Sequence, residues 1–109
     1  MALTLKRLIS GSQLTAAAVA YYTAPANTKA TIKSAALVNT TAGAVVCTVH
    51  LVPFGGSASA TNTFISARSI AVNETYTCPE LINQVLEAGG MIQALGLNVT
   101  LAISGAEVV

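Results

Sequence analysis

Apolar residues recur with a period of two along most of this chain, and short polar or glycine-rich stretches interrupt them at brief intervals. That combination predicts an antiparallel β protein, because successive side chains of a strand point to opposite faces. The clearest segment is Ala44–Val52, where Val45, Cys47, Val49 and Leu51 share one face and Val46, Thr48, His50 and Val52 the other. In Val99–Ser104, Val99, Leu101 and Ile103 point one way and Thr100, Ala102 and Ser104 the other. The same reading predicts strands over Leu3–Ile9, Val19–Thr23, Lys29–Val38, Thr63–Ile70, Glu74–Cys78 and Met91–Leu95.

The punctuation fits hairpins. Asn39-Thr40-Thr41-Ala42-Gly43 is a short polar loop ending in glycine, and Gly96-Leu97-Asn98 closes a last hairpin. Pro53-Phe54-Gly55-Gly56 stops a strand, and the Gly/Ser/Ala-rich stretch up to Asn62 reads as a surface loop. One segment departs from the alternation. In 79–87 the apolar residues fall at i, i+1, i+4 and i+5, with Pro79 and Glu80 at the start and Ala88-Gly89-Gly90 after the end. This predicts a short helix, with an irregular strand as the alternative. Eight short strands and one helix give an all-β fold, a two-sheet antiparallel sandwich of jelly-roll type.

Composition changes the picture in one respect. The chain has 109 residues, enough for one domain, of which 53% are hydrophobic and only 8% charged. An average soluble domain is about 25% charged. A domain this small leaves about a third of its chain surface exposed, so its outside is either tiled with Thr, Ser, Asn and Ala or covered by partner chains. Oligomerisation is the economical reading. The net charge of +1 offers no basic face for nucleic acid. The longest apolar run, Ala16–Tyr22, falls far short of the ~20 residues of a spanning helix. Lys6 and Arg7 are followed by Ser10-Gly11-Ser12-Gln13 instead of an apolar stretch, which argues against a signal peptide. The expectation is therefore no membrane and no nucleic acid partner.

Candidate chemistry is sparse. Cys47 and His50 are three apart, which on a strand puts them on opposite faces and about 10 Å apart, out of reach for thiol activation. A cross-strand Cys78–His50 contact stays open, but nothing singles it out. Both cysteines sit in apolar strand-like settings and are expected buried and reduced. No CxxC, HxH or carboxylate cluster suggests a metal. Glu80 and Glu87 read as a solvated face, and His50 as a partly exposed strand residue or a subunit contact. Three Asn-X-Thr triplets, at Asn39, Asn73 and Asn98, match the glycosylation pattern by chance in Thr-rich turns. No catalytic residue, cofactor or metal site is expected, and the chain is read as non-enzymatic. Of Tyr21 and Tyr22, adjacent on a strand, one at most is expected in the core. The other, with Phe54 in its turn, is a candidate for an interface, where aromatics are enriched.

The run Tyr22-Thr23-Ala24-Pro25-Ala26-Asn27-Thr28-Lys29-Ala30-Thr31-Ile32-Lys33 goes with Val38-Asn39-Thr40-Thr41, Val49-His50-Leu51-Val52-Pro53, the Leu86–Gly90 turn and the closing Ile103-Ser104-Gly105. Over residues 20–105 these segments resemble small virion structural proteins of tailed phages, the decoration, cement or tail-associated β-sandwiches. The resemblance implies a part in a virion made in the host cytoplasm. It also implies contacts with copies of itself and with other virion proteins such as the major capsid protein. It carries no active-site residues. A tail, collar or fibre-base component is an alternative, as is a receptor- or glycan-binding sandwich using Asn39, Phe54 and Asn62.

The first twelve residues lie outside the resemblance. Leu3, Leu5, Arg7 and Ile9 would share one face of a strand, with Lys6 and Leu8 on the other. Residues 1–12 are then either an assembly arm, added as an edge strand to a neighbour, or the first strand of the chain's own sandwich over 13–109.

Overall fold

The structure is a computed structural model that describes residues 3–109; Met1 and Ala2 of the segment read as first strand or assembly arm lie outside the described residues. Nine strands form: β1 (Leu3–Gln13), β2 (Val19–Thr23), β3 (Lys29–Val38), β4 (Val45–Val52), β5 (Thr63–Ile70), β6 (Thr75–Tyr76), β7 (Val85–Leu86), β8 (Met91–Leu95) and β9 (Thr100–Val108). All pairings are antiparallel. The first sheet runs β1-β9-β3-β6, with β7 also on β3, and the second runs β2-β8-β4-β5.

The topology follows one rule. β1 pairs with β9, β2 with β8, β3 with β6 and β4 with β5, as in a long two-armed ribbon folded about its middle. Successive pairs fall alternately into the two sheets, which are completed by the β9–β3 and β8–β4 ladders. A ribbon wrapped in this way is a jelly roll, with β7 as an addition.

The inward positions fill the space between the sheets. Ile32, Leu37, Leu101 and Ile103 come from the first sheet and Val49, Ile65, Ile70 and Ile92 from the second, with Leu14, Leu81 and Val99 at the ends; all are buried. Each contributes about 1.5–3 kcal/mol relative to exposure, which makes this layer the main stabilising element. Cys47 and Cys78 belong to the same cluster.

Bulges reset the alternation in four strands, since one extra residue on one side of a ladder turns the next side chain around. In β1 the register steps from Arg7 opposite Ser104 to Ile9 opposite Ile103, so both Leu8 and Ile9 are buried. The expected grouping of Ile9 with Leu3, Leu5 and Arg7 on one face therefore fails at Leu8. β2 skips Tyr21 in its pairing with β8, and as a result both Tyr21 and Tyr22 pack against the core. The expectation that one tyrosine at most would reach it is corrected. In β3, Lys33 is the extra residue between Ile32 and Ser34. β5 bulges at Phe64 and again near Ala67, whose amide donates to Thr48 Oγ1.

The helix expected over 79–87 is absent. Pro79–Leu81 makes one 3-10 turn, and the chain then becomes irregular and pairs with β3 as β7. Cys78 and Asn83 take left-handed backbone conformations, at φ of 51° and 67°, which stop helix propagation at both ends. The backbone of Asn83 and Gln84 instead exchanges hydrogen bonds with Ile32 on β3.

Candidate functional site

A sandwich has two open seams where the edge strands of its sheets face one another, and here each is closed by a tyrosine, a glutamate and a cation. On one side Tyr22 of β2 donates to Glu107 of β9, and Lys6 of β1 lies 3.5 Å from the other oxygen of that carboxylate. On the other side Tyr76 of β6 donates to Glu80 at 2.6 Å, and the Arg68 guanidinium of β5 stacks 4.0 Å above the tyrosine ring. Burial and the hydrogen bond to Glu107 push the Tyr22 phenol well above its ordinary range. Burial and the bond to Glu80 push Tyr76 up to about 12. Both phenols stay protonated as donors, so the triads work as clasps between sheets. Tyr22→Phe is expected to cost about 1 kcal/mol, the net value of one such hydrogen bond, measurable as a shift in urea midpoint with unchanged slope.

His50, read from sequence as a partly exposed strand residue or a subunit contact, lies beneath the β4–β5 loop and is buried within the chain. Its Nδ1 is 3.2 Å from Asn62 Oδ1 and 3.0 Å from Thr63 Oγ1. Thr63 Oγ1 donates to the Ser59 carbonyl, leaving it as an acceptor towards the imidazole. Asn62 Oδ1 accepts only, which places the His50 proton on Nδ1. Asn62 also accepts from the Ser59 amide and donates to the Ser57 carbonyl. These bonds fasten the Gly/Ser-rich loop to His50 of β4. Sequence reasoning put Asn39 and Asn62 in a ligand role, whereas the fold engages both as buried hydrogen-bond centres.

Cys47 and Cys78 are free and buried. Burial raises both thiols, that of Cys78 from 9.0 to about 12, with the Glu80 charge adding to the effect. Well below pH 9 each is protonated in both states. Between pH 9 and about 12 the unfolded chain releases the Cys78 proton while the folded chain keeps it. Stability therefore falls with rising pH there, by at most about 1.4 kcal/mol per pH unit for this thiol. Urea melts from pH 8 to pH 11 check this; Cys78→Ala is expected to flatten the slope. Both thiols are also expected to react with a thiol reagent only on unfolding, and rapid labelling of folded protein would contradict their burial. Among the described residues no group of His, Cys, Asp or Glu is arranged to hold a metal ion.

The interface candidates divide into two sets. Leu3 (66% exposed), Leu5 (77%) and Phe54 (81%) stand out from the surface, while Ile9 is buried and Tyr21 and Tyr22 are half-buried along the β2 edge. Arg7 is exposed on the outer face of the first sheet. Cross-strand register places Leu5, Ala106, Thr31 and Val85 in one row over β1, β9, β3 and β7. Leu5 and Val85 are exposed ridges on either side of a lower floor. Leu3 and Val108 form the next row beside it. The β2–β3 and β4–β5 turns reach the same end of the sandwich. There Phe54 rests on Gly89, where a β-carbon would collide with its ring, beside an open apolar recess of about 380 Å³ lined also by Ala26, Asn27 and Ala88. Val85 was not singled out from sequence, because the pairing of β7 with β3 depends on a long-range contact.

No family model matches the chain, and no curated protein matches it. Among solved structures, 97% of the chain aligns with a chain in the structure of infectious bursal disease virus, Gx strain, at a TM-score of 0.42 and 16% identity. The chain spans 30% of the length of that protein.

Proposed function

We propose that the chain is a non-enzymatic structural subunit of a phage particle, a decoration or cement protein that stabilises the shell through contacts with its own copies and with the major capsid protein. The observation that carries this reading is how the few polar groups are used. Glu107, Glu80, Glu87 and Glu74 each have a partner within the chain, and His50 and both cysteines are engaged in the fold. What remains outside is a surface with few charges and with large apolar side chains exposed at both ends, Leu3, Leu5, Phe54 and Val85 at one and Val19, Val46, Val72 and Leu97 at the other, a composition suited to burial against other subunits. A jelly roll is compatible with a shell component by analogy of fold, which by itself assigns no function.

The isolated chain is expected to self-associate, and Leu5→Asp or Val85→Asp to reduce this without lowering thermal stability, because both side chains are exposed. Sedimentation at increasing concentration checks it; a wild-type chain that stays monomeric at high concentration would contradict the reading. Immunogold labelling of purified particles tests the location. The Phe54 recess favours a second reading, a receptor- or glycan-binding module, in which the ring serves as a stacking platform. Loss of host attachment in Phe54→Ala particles that assemble normally would select that reading.

A further inference from the structure

Seven of the nine charged side chains have partners within the chain: Lys6 with Glu107, Lys29 with Glu87, Arg68 and Glu80 through Tyr76, and Glu74 with the Ala71 amide. The two others, Arg7 and Lys33, make neither an ion pair nor a side-chain hydrogen bond among the described residues. They lie close together on the fold. Arg7 of β1, Ser104 of β9 and Ser34 of β3 form one cross-strand row, and Lys33 precedes Ser34. Ile32 and Ala35 are buried while Lys33 and Ser34 between them are both exposed, so the β3 bulge turns both side chains outward. The β3 bulge meets β9 at the step from Gly105 to Ser104 and the β1 bulge at the next step, Ser104 to Ile103, so the two adjoin at Ser104. Two bulges on either side of one strand locally deform the sheet, a feature that recurs beside functional sites. Here they border an open recess of about 290 Å³ floored by Ala36 and Ala102 and edged by Arg7, Ser34 and Ser104.

We infer that the recess edged by Arg7, Ser34 and Ser104 on the outer face of the first sheet, with the exposed Lys33 next to Ser34, is a docking site for acidic side chains of a different protein in the assembly. A guanidinium, an ammonium and two hydroxyls match a carboxylate in charge and in hydrogen-bond donors. A second copy of this chain is a poor source, because each of its four glutamates already has a partner. The inference rests on the assembly reading and adds the chemistry of the partner.

The test is a titration of the full isotope-labelled chain, followed by amide chemical shifts, with hexaglutamate peptide and separately with inorganic phosphate. The peptide is expected to shift Arg7, Lys33, Ser34 and Ser104 together. Arg7→Gln with Lys33→Gln is expected to weaken its binding by about tenfold or more and to leave the other resonances in place, since exposed charges contribute little to folding. Shifts elsewhere, equal binding by the double variant, or no peptide binding would overturn the inference. Phosphate binding as tight as the peptide would overturn it too, by making the recess a site for free oxyanions. Absence of the chain from particles would instead remove the assembly reading and leave the titration result standing.

Discussion

Gly105→Ala is expected to abolish soluble, folded protein or to destabilise it by about 3 kcal/mol or more, the upper range for overpacking a closed site. Gly105 lies on β9 between its two neighbours, opposite Lys6 on β1 and Ile32 on β3. A β-carbon there would collide with the Thr31 carbonyl oxygen of β3. That oxygen belongs to the backbone of a central strand, so no side-chain rotation relieves the clash. The strands would have to separate in the middle of the sheet, next to the bulges at Leu8 and Lys33. Denaturant melts check the expectation. A variant with an unchanged midpoint would mean that β9 and β3 do not approach this closely.

Asn39→Ala is expected to cost a comparable amount, about 3 kcal/mol. The side chain is fully buried in the β3–β4 connection. Its Oδ1 accepts from the Thr41 amide at 2.9 Å and the Thr41 hydroxyl at 2.7 Å, and its Nδ2 donates to the carbonyls of Gly43 at 2.9 Å and Ile70 at 2.8 Å. Its backbone also bonds Asn73 and Glu74, tying the β3–β4 and β5–β6 connections together. Each bond is worth about 1 kcal/mol net, and an acceptor left unsatisfied in a buried place adds to the loss. Asn39→Asp is expected to be at least as harmful at neutral pH, because it turns a donor into an oxygen facing two carbonyls. Urea denaturation of both variants decides. A cost under about 1 kcal/mol for either would contradict the central role given to this amide.

The positions of most long strands were legible in the sequence. β2, β3, β5 and β8 fall where the apolar period places them, and β4 begins one residue later than expected. The ends of β1 and β9 were not. β1 continues through Ser10-Gly11-Ser12 because Gly11, at φ 118°, absorbs a second irregularity in the ladder with β9. β9 continues past Ser104, where the predicted strand ended, because Gly105 permits the close approach of β3. Bulges at Leu8, Tyr21, Lys33 and Phe64 depend on the neighbouring strand's register, to which local periodicity is blind. The 79–87 segment misled for a related reason. Its pattern suits one helical face, but its backbone finds partners on β3, and Cys78 and Asn83 adopt conformations that end a helix.

The exposed candidates were easier to read than the buried centres. Phe54 in a proline-led turn and Leu3 and Leu5 ahead of two cations are local signals. Asn39 gave a partial one, since an asparagine two residues before a threonine amide is the pattern of an Asx turn; its reach to Ile70 depends on the fold. The seam clasps were hidden, because Tyr22 and Glu107 are separated by 85 residues.

A reconstruction of the purified particle tests the proposed role as a shell subunit most directly. The expected result is repeated density for the sandwich on the shell, with the Leu5–Val85 row buried in a subunit contact and the outer face of the first sheet against another protein. Particles purified to constant composition that lack the chain would contradict it.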